Sequence, residues 1–439
     1  MLEQDTGFPG PRSNGYPRAP VKRGRVHSRA RPDPPLGTPA SSTKPKHPAP
    51  QSQSLSRSYG SNLPTSLTYI ILSTRGFSPR RPAADMGTRF CHVTPDCILN
   101  LCDVSNIWHV PLVMQEQGGH LAIMRQLKLD FRKLDLDSWA HRANKWDTVS
   151  EPVNIAIVGK YTGLGDSYLS VTKALMHSAI SADRKLNIVW IEAGMLEDTT
   201  LAEDPSSHAD AWAKVHSVDG ILVPGGFGER GTEGKILTAK YARENKVPFL
   251  GICLGMQAAV IEYARNVLGI KSAHSTEMVP ECANPAVIFM PEGSTTHMGG
   301  TMRLGARRTF FKTQDCKAAK LYNSSPFIDE RHRHRYEVNP DMVDKLESAG
   351  CVFVGKDETN KRMEILELDD HPFFLATQYH PEYKSRPGRP SPPFMGLILA
   401  ASRQLDHYIT TEAIEMRTNA PGGFIQSPLK ALKRLNKPM

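Results

Sequence analysis

The amino-acid sequence predicts an α/β fold, a mixed, mainly parallel sheet flanked by helices, with a disordered segment ahead of it. Two observations carry the sheet and one carries the segment. From Val153 onward, short apolar runs alternate with helix-length amphipathic stretches, the pattern of parallel strands with covering helices. The runs are apolar at consecutive positions, which suits strands buried on both faces. Before them the chain is basic, rich in proline and without apolar periodicity.

Residues 1–88 form that Pro/Ser-rich leader. Residues 1–87 hold 13 Lys and Arg against 4 Asp and Glu, the whole formal net charge of +9, together with 14 of the 34 prolines. Such a segment buries too little apolar surface to offset the entropy of ordering. The first predicted strand is Val153–Val158, followed by a helix over Ser167–Ala179 with Tyr168, Val171, Leu175 and Ala179 near one face. Strands follow at Leu186–Ile191, Gly220–Val223 and Phe249–Ile252, with a helix over Gly231–Asn245 that turns Ile236, Ala239 and Ala242 inward. Runs at Val287–Met290, Val352–Val354, Met363–Leu368 and Phe373–Gln378 complete the mixed sheet. From about His407 the regular signal fades, so residues 409–439 are expected to be a tail with a solvated basic run at Leu429–Arg434.

Composition and spacing also limit the function classes. The apolar stretch Leu67–Leu72 is far short of the ~20 residues that a bilayer span needs. The cysteines at 91, 97, 102, 253, 282, 316 and 351 lack paired spacing and the density of a secreted scaffold, which implies a reducing, cytoplasmic setting. His332 and His334 stand inside Arg331-His332-Arg333-His334-Arg335, where neighbouring cations repel a metal ion, so no metal site is expected. The sequence contains no Gly-x-x-x-x-Gly-Lys-Ser/Thr phosphate loop, and Gly163-Leu164-Gly165 supplies only half of a dinucleotide fingerprint.

The chemistry concentrates in three blocks. Gly251-Ile252-Cys253-Leu254-Gly255 follows an apolar strand and opens an amphipathic segment, the setting of a nucleophile elbow. Small neighbours let the backbone turn sharply there. The Leu254 N–H then points to where an oxyanion would form, and the helix N-terminus favours a thiolate at Cys253. Gln378-Tyr379-His380-Pro381-Glu382 ends another apolar strand with an imidazole and a carboxylate two residues apart, which alternation places on one face. A thiol nucleophile needs a base, and the base needs an orienting acceptor, so His380 and Glu382 suit those roles. Pro224-Gly225-Gly226-Phe227-Gly228 ends a third strand and frees backbone N–H groups for a second oxyanion donor.

In this order, each after a strand, the three blocks resemble the class I glutamine amidotransferases, which release ammonia from glutamine through a Cys-His-Glu triad. More narrowly, Pro224 to Lys235, Met298 to Gly305 and Glu330 to Asn339 resemble the CTP synthase family, and the resemblance runs from about Arg89 to Arg403. It implies a glutamine amidotransferase domain over 151–408. Cys253 is then the nucleophile, His380 and Glu382 its partners, and the backbone of Gly226 and Leu254 the oxyanion site. It further implies that Gly226, Leu254, Gly255, Met256, Gln257, Glu277 and Arg335 hold glutamine. Arg335 suits the substrate carboxylate and Glu277 its ammonium.

For glutamine hydrolysis no cofactor is implied. The full family reaction uses ATP and Mg to aminate UTP to CTP, with GTP as activator, and the resemblance makes Arg230 and Glu233 participants in that coupling. Residues 89–150 resemble only the end of the synthase domain and the linker, so Cys102, Asp103 and Val104 are expected as a nucleotide-site remnant without its phosphate loop. UTP and ATP are accordingly expected as partners only where a complete synthase domain is present. Two other readings stay open. One is a non-catalytic partner of full-length CTP synthase subunits, and the other is nucleic-acid binding through the basic leader.

Overall fold

The computed structural model describes residues 71–73, 94, 97–163, 165–290 and 302–418. The expectations for the rest of the leader, for Met298 to Thr301 and for Leu429–Arg434 lie outside the described residues. Within the expected leader three residues form a strand: β1 (Ile71–Ser73) pairs in parallel with β2 (Ile98–Asn100). It overlaps the end of the apolar stretch Leu67–Leu72, whose isoleucines favour an extended backbone.

The consecutive apolar runs fold as strands covered on both faces. In chain order they are β3 (Pro152–Gly159), β4 (Lys185–Glu192), β5 (Gly220–Val223) and β6 (Phe249–Ile252). After these come β7 (Ala273–Ser275), β8 (Asn284–Phe289), β9 (Arg303–Phe311), β10 (Phe327–His334) and β11 (Tyr336–Val338). The last are β12 (Cys351–Asp357), β13 (Met363–Leu368) and β14 (Phe374–Thr377). Nine of them make one mixed sheet in the order β10-β9-β12-β13-β14-β6-β5-β3-β4. From β4 to β14 all neighbours run parallel, and from β14 to β10 all run antiparallel.

Helices cover both faces. On one side Ala156, Val158, Phe249 and Phe374 meet the helices Pro205–His216, Thr232–Glu244 and Leu254–Asn266. On the other, Ile155, Ile157, Leu250 and Leu375 meet the helices Leu169–Ser181 and Pro392–Ala401. Successive side chains of each strand therefore enter opposite cores, which is why these strands need apolar residues at every position. At the β6–β14 junction the rings of Phe249 and Phe374, paired in register, stack with centroids 4.4 Å apart.

The differences from expectation have physical causes. Val287–Met290 overlaps the end of β8, which belongs to a separate three-stranded sheet, β11-β8-β7, rather than to the mixed sheet. β9 and β10 add an antiparallel edge that apolar patterning missed, because β10 buries Glu330, His332 and His334 where apolar residues would usually stand. A helix over Thr411–Thr418 interrupts the expected tail. Its Glu-Ala-Ile-Glu-Met-Arg core is a run of good helix formers without an apolar stripe. Between β2 and β3 the chain forms helices at Val110–Glu116, Gly119–Gln126 and Asp137–Thr148, and buried Trp108 and Ala143 pack against Ile180.

Truncating Phe249 to alanine should cost about 3–5 kcal/mol in chemical denaturation, the range for emptying a buried aromatic site. Leu201→Ala, at a position 46% exposed, should stay within about 0.5 kcal/mol of the unsubstituted protein.

Candidate active site

Two adjacent parallel strands bring the reactive side chains together. β6 delivers Cys253 and β14 leads through Gln378 and Tyr379 to His380, with Ile252 opposite Thr377. The Cys253 N–H donates to the Thr377 carbonyl at 2.7 Å, fixing the elbow to the neighbouring strand. At the elbow Cys253 adopts φ 52° and ψ −101°, a left-handed-side conformation that costs energy outside glycine. That turn lifts the sulfur above the sheet, where it is 3% exposed and 3.9 Å from the Arg333 carbonyl.

His380 Nδ1 lies 2.8 Å from Glu382 Oε1, and the imidazole and Cys253 both border Gly225. Sequence alternation had placed His380 and Glu382 on one strand face, but β14 ends at Thr377 and Glu382 stands in the 3-10 turn Pro381–Lys384. The turn, rather than the pleat, points the carboxylate at the ring. The His380 N–H donates to the Arg331 carbonyl at 2.8 Å. Burial disfavours the charged imidazole, yet the hydrogen bonds and charges of Cys253 and Glu382 outweigh it and push His380 up to about 11.

The Pro224–Gly228 turn closes over this pair. A Cβ on Gly225 would stand 2.7 Å from His380 Cε1 and 3.3 Å from the Cys253 Cβ, so glycine is what lets the ring approach. The next residue, Gly226, faces Leu254, whose Cδ2 would lie 3.5 Å from a Cβ placed there. Leu254 opens the 13-residue helix Leu254–Asn266, and its N–H lacks an intrahelical acceptor. The Pro224–Gly228 turn thus lies against both Cys253 and Leu254. Gly255 packs so tightly on the Val223 carbonyl that no Cβ fits.

The other predicted residues divide. Glu277 joins the site, its Oε1 accepting the Gly228 N–H at 3.0 Å. Arg335 stands between β10 and β11, its carbonyl accepting the Met290 N–H at 2.9 Å. Gln257 is 3% exposed and gives its Nε2 to the Tyr336 carbonyl at 2.9 Å and to Gln378 Oε1 at 3.3 Å, so it braces the pocket wall. Met256 is a correction to the glutamine-contact set, since its side chain is fully buried in the core on the face opposite Cys253. Cys102 and Asp103 are exposed and Val104 half-buried, in the segment after β2. Among the described residues no contact joins them to the Cys253 cluster.

Sequence reasoning missed the buried support under this site. His332 Nδ1 is 3.1 Å from His334 Nε2, and His334 Nδ1 is 3.0 Å from the Tyr336 carbonyl. His332 Nε2 lies 3.1 Å from Glu364 Oε2, and Glu364 also accepts from Arg303 at 2.9 Å and Thr309 at 2.6 Å. Burial pushes His334 down to about 3, so it is a neutral link. The strand reading of Arg331–Arg335 attended to cations. The work done by the carbonyls of Arg331 and Arg333, and by the inward histidines, had no composition signal. Lys235 was also missed, although it lies four residues before the inward-facing Ala239. Among the described residues no group of three His, Cys, Asp or Glu is arranged to hold a metal ion, and no helix is long and apolar enough to cross a membrane.

A family model described as glutamine amidotransferase class-I matches residues 164–400. The chain is 51% identical over 324 residues to CTP synthase 1 of Homo sapiens, covering 73% of this chain and 55% of that protein. It is 50% identical over 323 residues to CTP synthase 2 of Xenopus laevis, covering 73% and 56%. The chain therefore spans about half the length of the curated relatives it matches. A solved Trypanosoma brucei CTPS glutaminase domain with bound acivicin superimposes with TM-score 0.53 at 38% identity, covering 57% of this chain and 94% of that one.

A folded-state pKa raised from 6.5 to about 11 means that the charge on His380 stabilises the fold fully below pH 6.5, a contribution lost as pH rises through about 11. NMR titration should therefore show one imidazole still charged at pH 9. Glu382→Gln should move its titration downward, and an unmoved midpoint would show that the carboxylate is not its source.

Proposed function

The chain belongs to the class I glutamine amidotransferases, within the CTP synthase family, and from this we propose that it hydrolyses glutamine to glutamate and ammonia at Cys253. The convergence of Cys253, His380 and Glu382 at one turn is the observation that supports this reading most. The Cys253 sulfur attacks the glutamine carboxamide as a thiolate, forming a carbon–sulfur bond, while the carbonyl electrons move to oxygen. The N–H groups of Gly226 and Leu254 receive that oxyanion. As the oxyanion collapses, the carbon–nitrogen bond breaks and the proton held on His380 passes to the departing ammonia. Water then gives its proton to His380 and attacks the glutamyl thioester, which releases glutamate and restores the thiolate. Glu382 keeps the imidazole in line through both halves.

Glu277 and Arg335 fit the ammonium and carboxylate of the substrate, while Gln257 and Gly255 shape the pocket behind the nucleophile.

In the family reaction the ammonia aminates UTP to CTP with ATP and Mg. The residues here do not fit that half. Cys102, Asp103 and Val104 stand without a phosphate loop in the sequence, and the described residues offer no carboxylate cluster for the metal. We assign CTP formation, and its GTP activation, to assembly with a subunit that carries a complete synthase domain.

Glutamate release from glutamine by the full chain tests this. Cys253→Ala should lower the rate by at least about 1,000-fold, as loss of a nucleophile does. Equal rates for the two proteins would refute the assignment. CTP should form only when a full-length synthase is added.

A further inference from the structure

Lys235 stands on the first turn of the helix Thr232–Glu244 and is 1% exposed. Its Nζ is 3.8 Å from the position a Cβ on Gly226 would take, on the side of the turn where Leu254 also packs. Among the described residues the ammonium makes no hydrogen bond and no ion pair. An unpaired buried ammonium is expensive, and lysine ordinarily escapes the cost by extending to water. Here the helix start is pinned, because Gly234 packs against the Ala193 carbonyl with no room for a Cβ.

Charges from several elements face this ammonium. Lys160, after β3, opposes it, and Glu192, Glu197 and Glu277 favour it without reaching ion-pair distance. Burial first, and then Lys160, push Lys235 down to about 8. Glu277 already receives the Gly228 N–H. The positive charge is therefore left facing the Pro224–Gly228 turn.

We infer that Lys235 is a further positioning residue for the reaction, its ammonium supporting from behind Gly226 the negative charge that develops on the amide oxygen. This rests on the glutaminase reading above. The charge acts through the Gly226 turn and touches neither the nucleophile nor the leaving group. In a buried site an unpaired cation acts strongly on charge that appears only in the transition state, so its effect falls on turnover rather than on substrate affinity.

The test compares the full chain with Lys235→Met, Lys235→Arg and Cys253→Ala. It measures glutamate release, and also alkylation of Cys253 by iodoacetamide, a displacement that forms no oxyanion. Lys235→Met should lower kcat about 10-fold or more and leave KM for glutamine within about 3-fold. Alkylation should stay within about 2-fold, showing that the elbow is intact, and Lys235→Arg should regain at least about a third of the kcat. Unchanged kcat in Lys235→Met would overturn the inference, as would a parallel fall in kcat and alkylation, which would make the lysine a packing element. Undiminished glutamate release by Cys253→Ala would instead overturn the glutaminase reading, and this inference with it.

Discussion

The parallel pairing of β6 with β14 is the constraint on which the site depends. Cys253 and His380 are 127 positions apart in the chain, yet each begins where one of two adjacent strands ends. The Cys253 N–H bond to Thr377 ties those ends together, and the stacked Phe249 and Phe374 hold the same pair at its other end. Parallel strands deliver their C-terminal ends to one edge of a sheet, so separate loops meet there without special arrangement. β5 runs beside β6 and brings the glycine turn to the same edge.

Around that edge the molecule holds an unusual amount of buried charge. Glu382 spends one oxygen on His380, while its other oxygen has no partner among the described residues. Glu330, nearby in electrostatic reach, is pushed by burial up to about 7 and receives the Tyr322 hydroxyl at 3.1 Å. The Glu364 network behind β10 supplies fixed hydrogen bonds in place of water. Such groups hold their orientation because desolvation makes every alternative arrangement costly.

How much of this could be read from the chain alone depended on what each residue does. β5 and β6 fall at their predicted bounds, since burial on both faces demands unbroken apolar runs, and β13 does so although buried Glu364 and Glu367 interrupt it. The elbow at Cys253 and the nearness of His380 to Glu382 were legible because reactive side chains flanked by small residues at strand ends are unusual. β7 and β11, at three residues each, are too short for a period to register, and β9 and β10 carry charge where patterning looks for apolar residues. Met256 shares a motif with Cys253, but Cys253 stands before the helix with φ 52° and ψ −101°, so helical spacing counted from it does not bring the Met256 side chain to the sulfur. Lys235 failed for another reason, as a charged residue on an inward stripe is normally taken to reach the surface.

The alternation within β10 has a consequence for how this segment accommodates change. Ile328, Glu330, His332 and His334 point into the protein, Phe327, Asp329, Arg331 and Arg333 point out, and two carbonyls serve Cys253 and His380. Replacing an outward arginine removes a stacking contact, of Arg331 with the Tyr383 ring or of Arg333 with the Phe227 ring, and leaves the interior side chains in place. Adding or losing a single residue between Asp329 and Tyr336 would exchange the two sets, driving guanidinium groups into the interior and the histidines into solvent. Length is therefore restrained in this stretch far more tightly than identity, and variation there is confined to substitution.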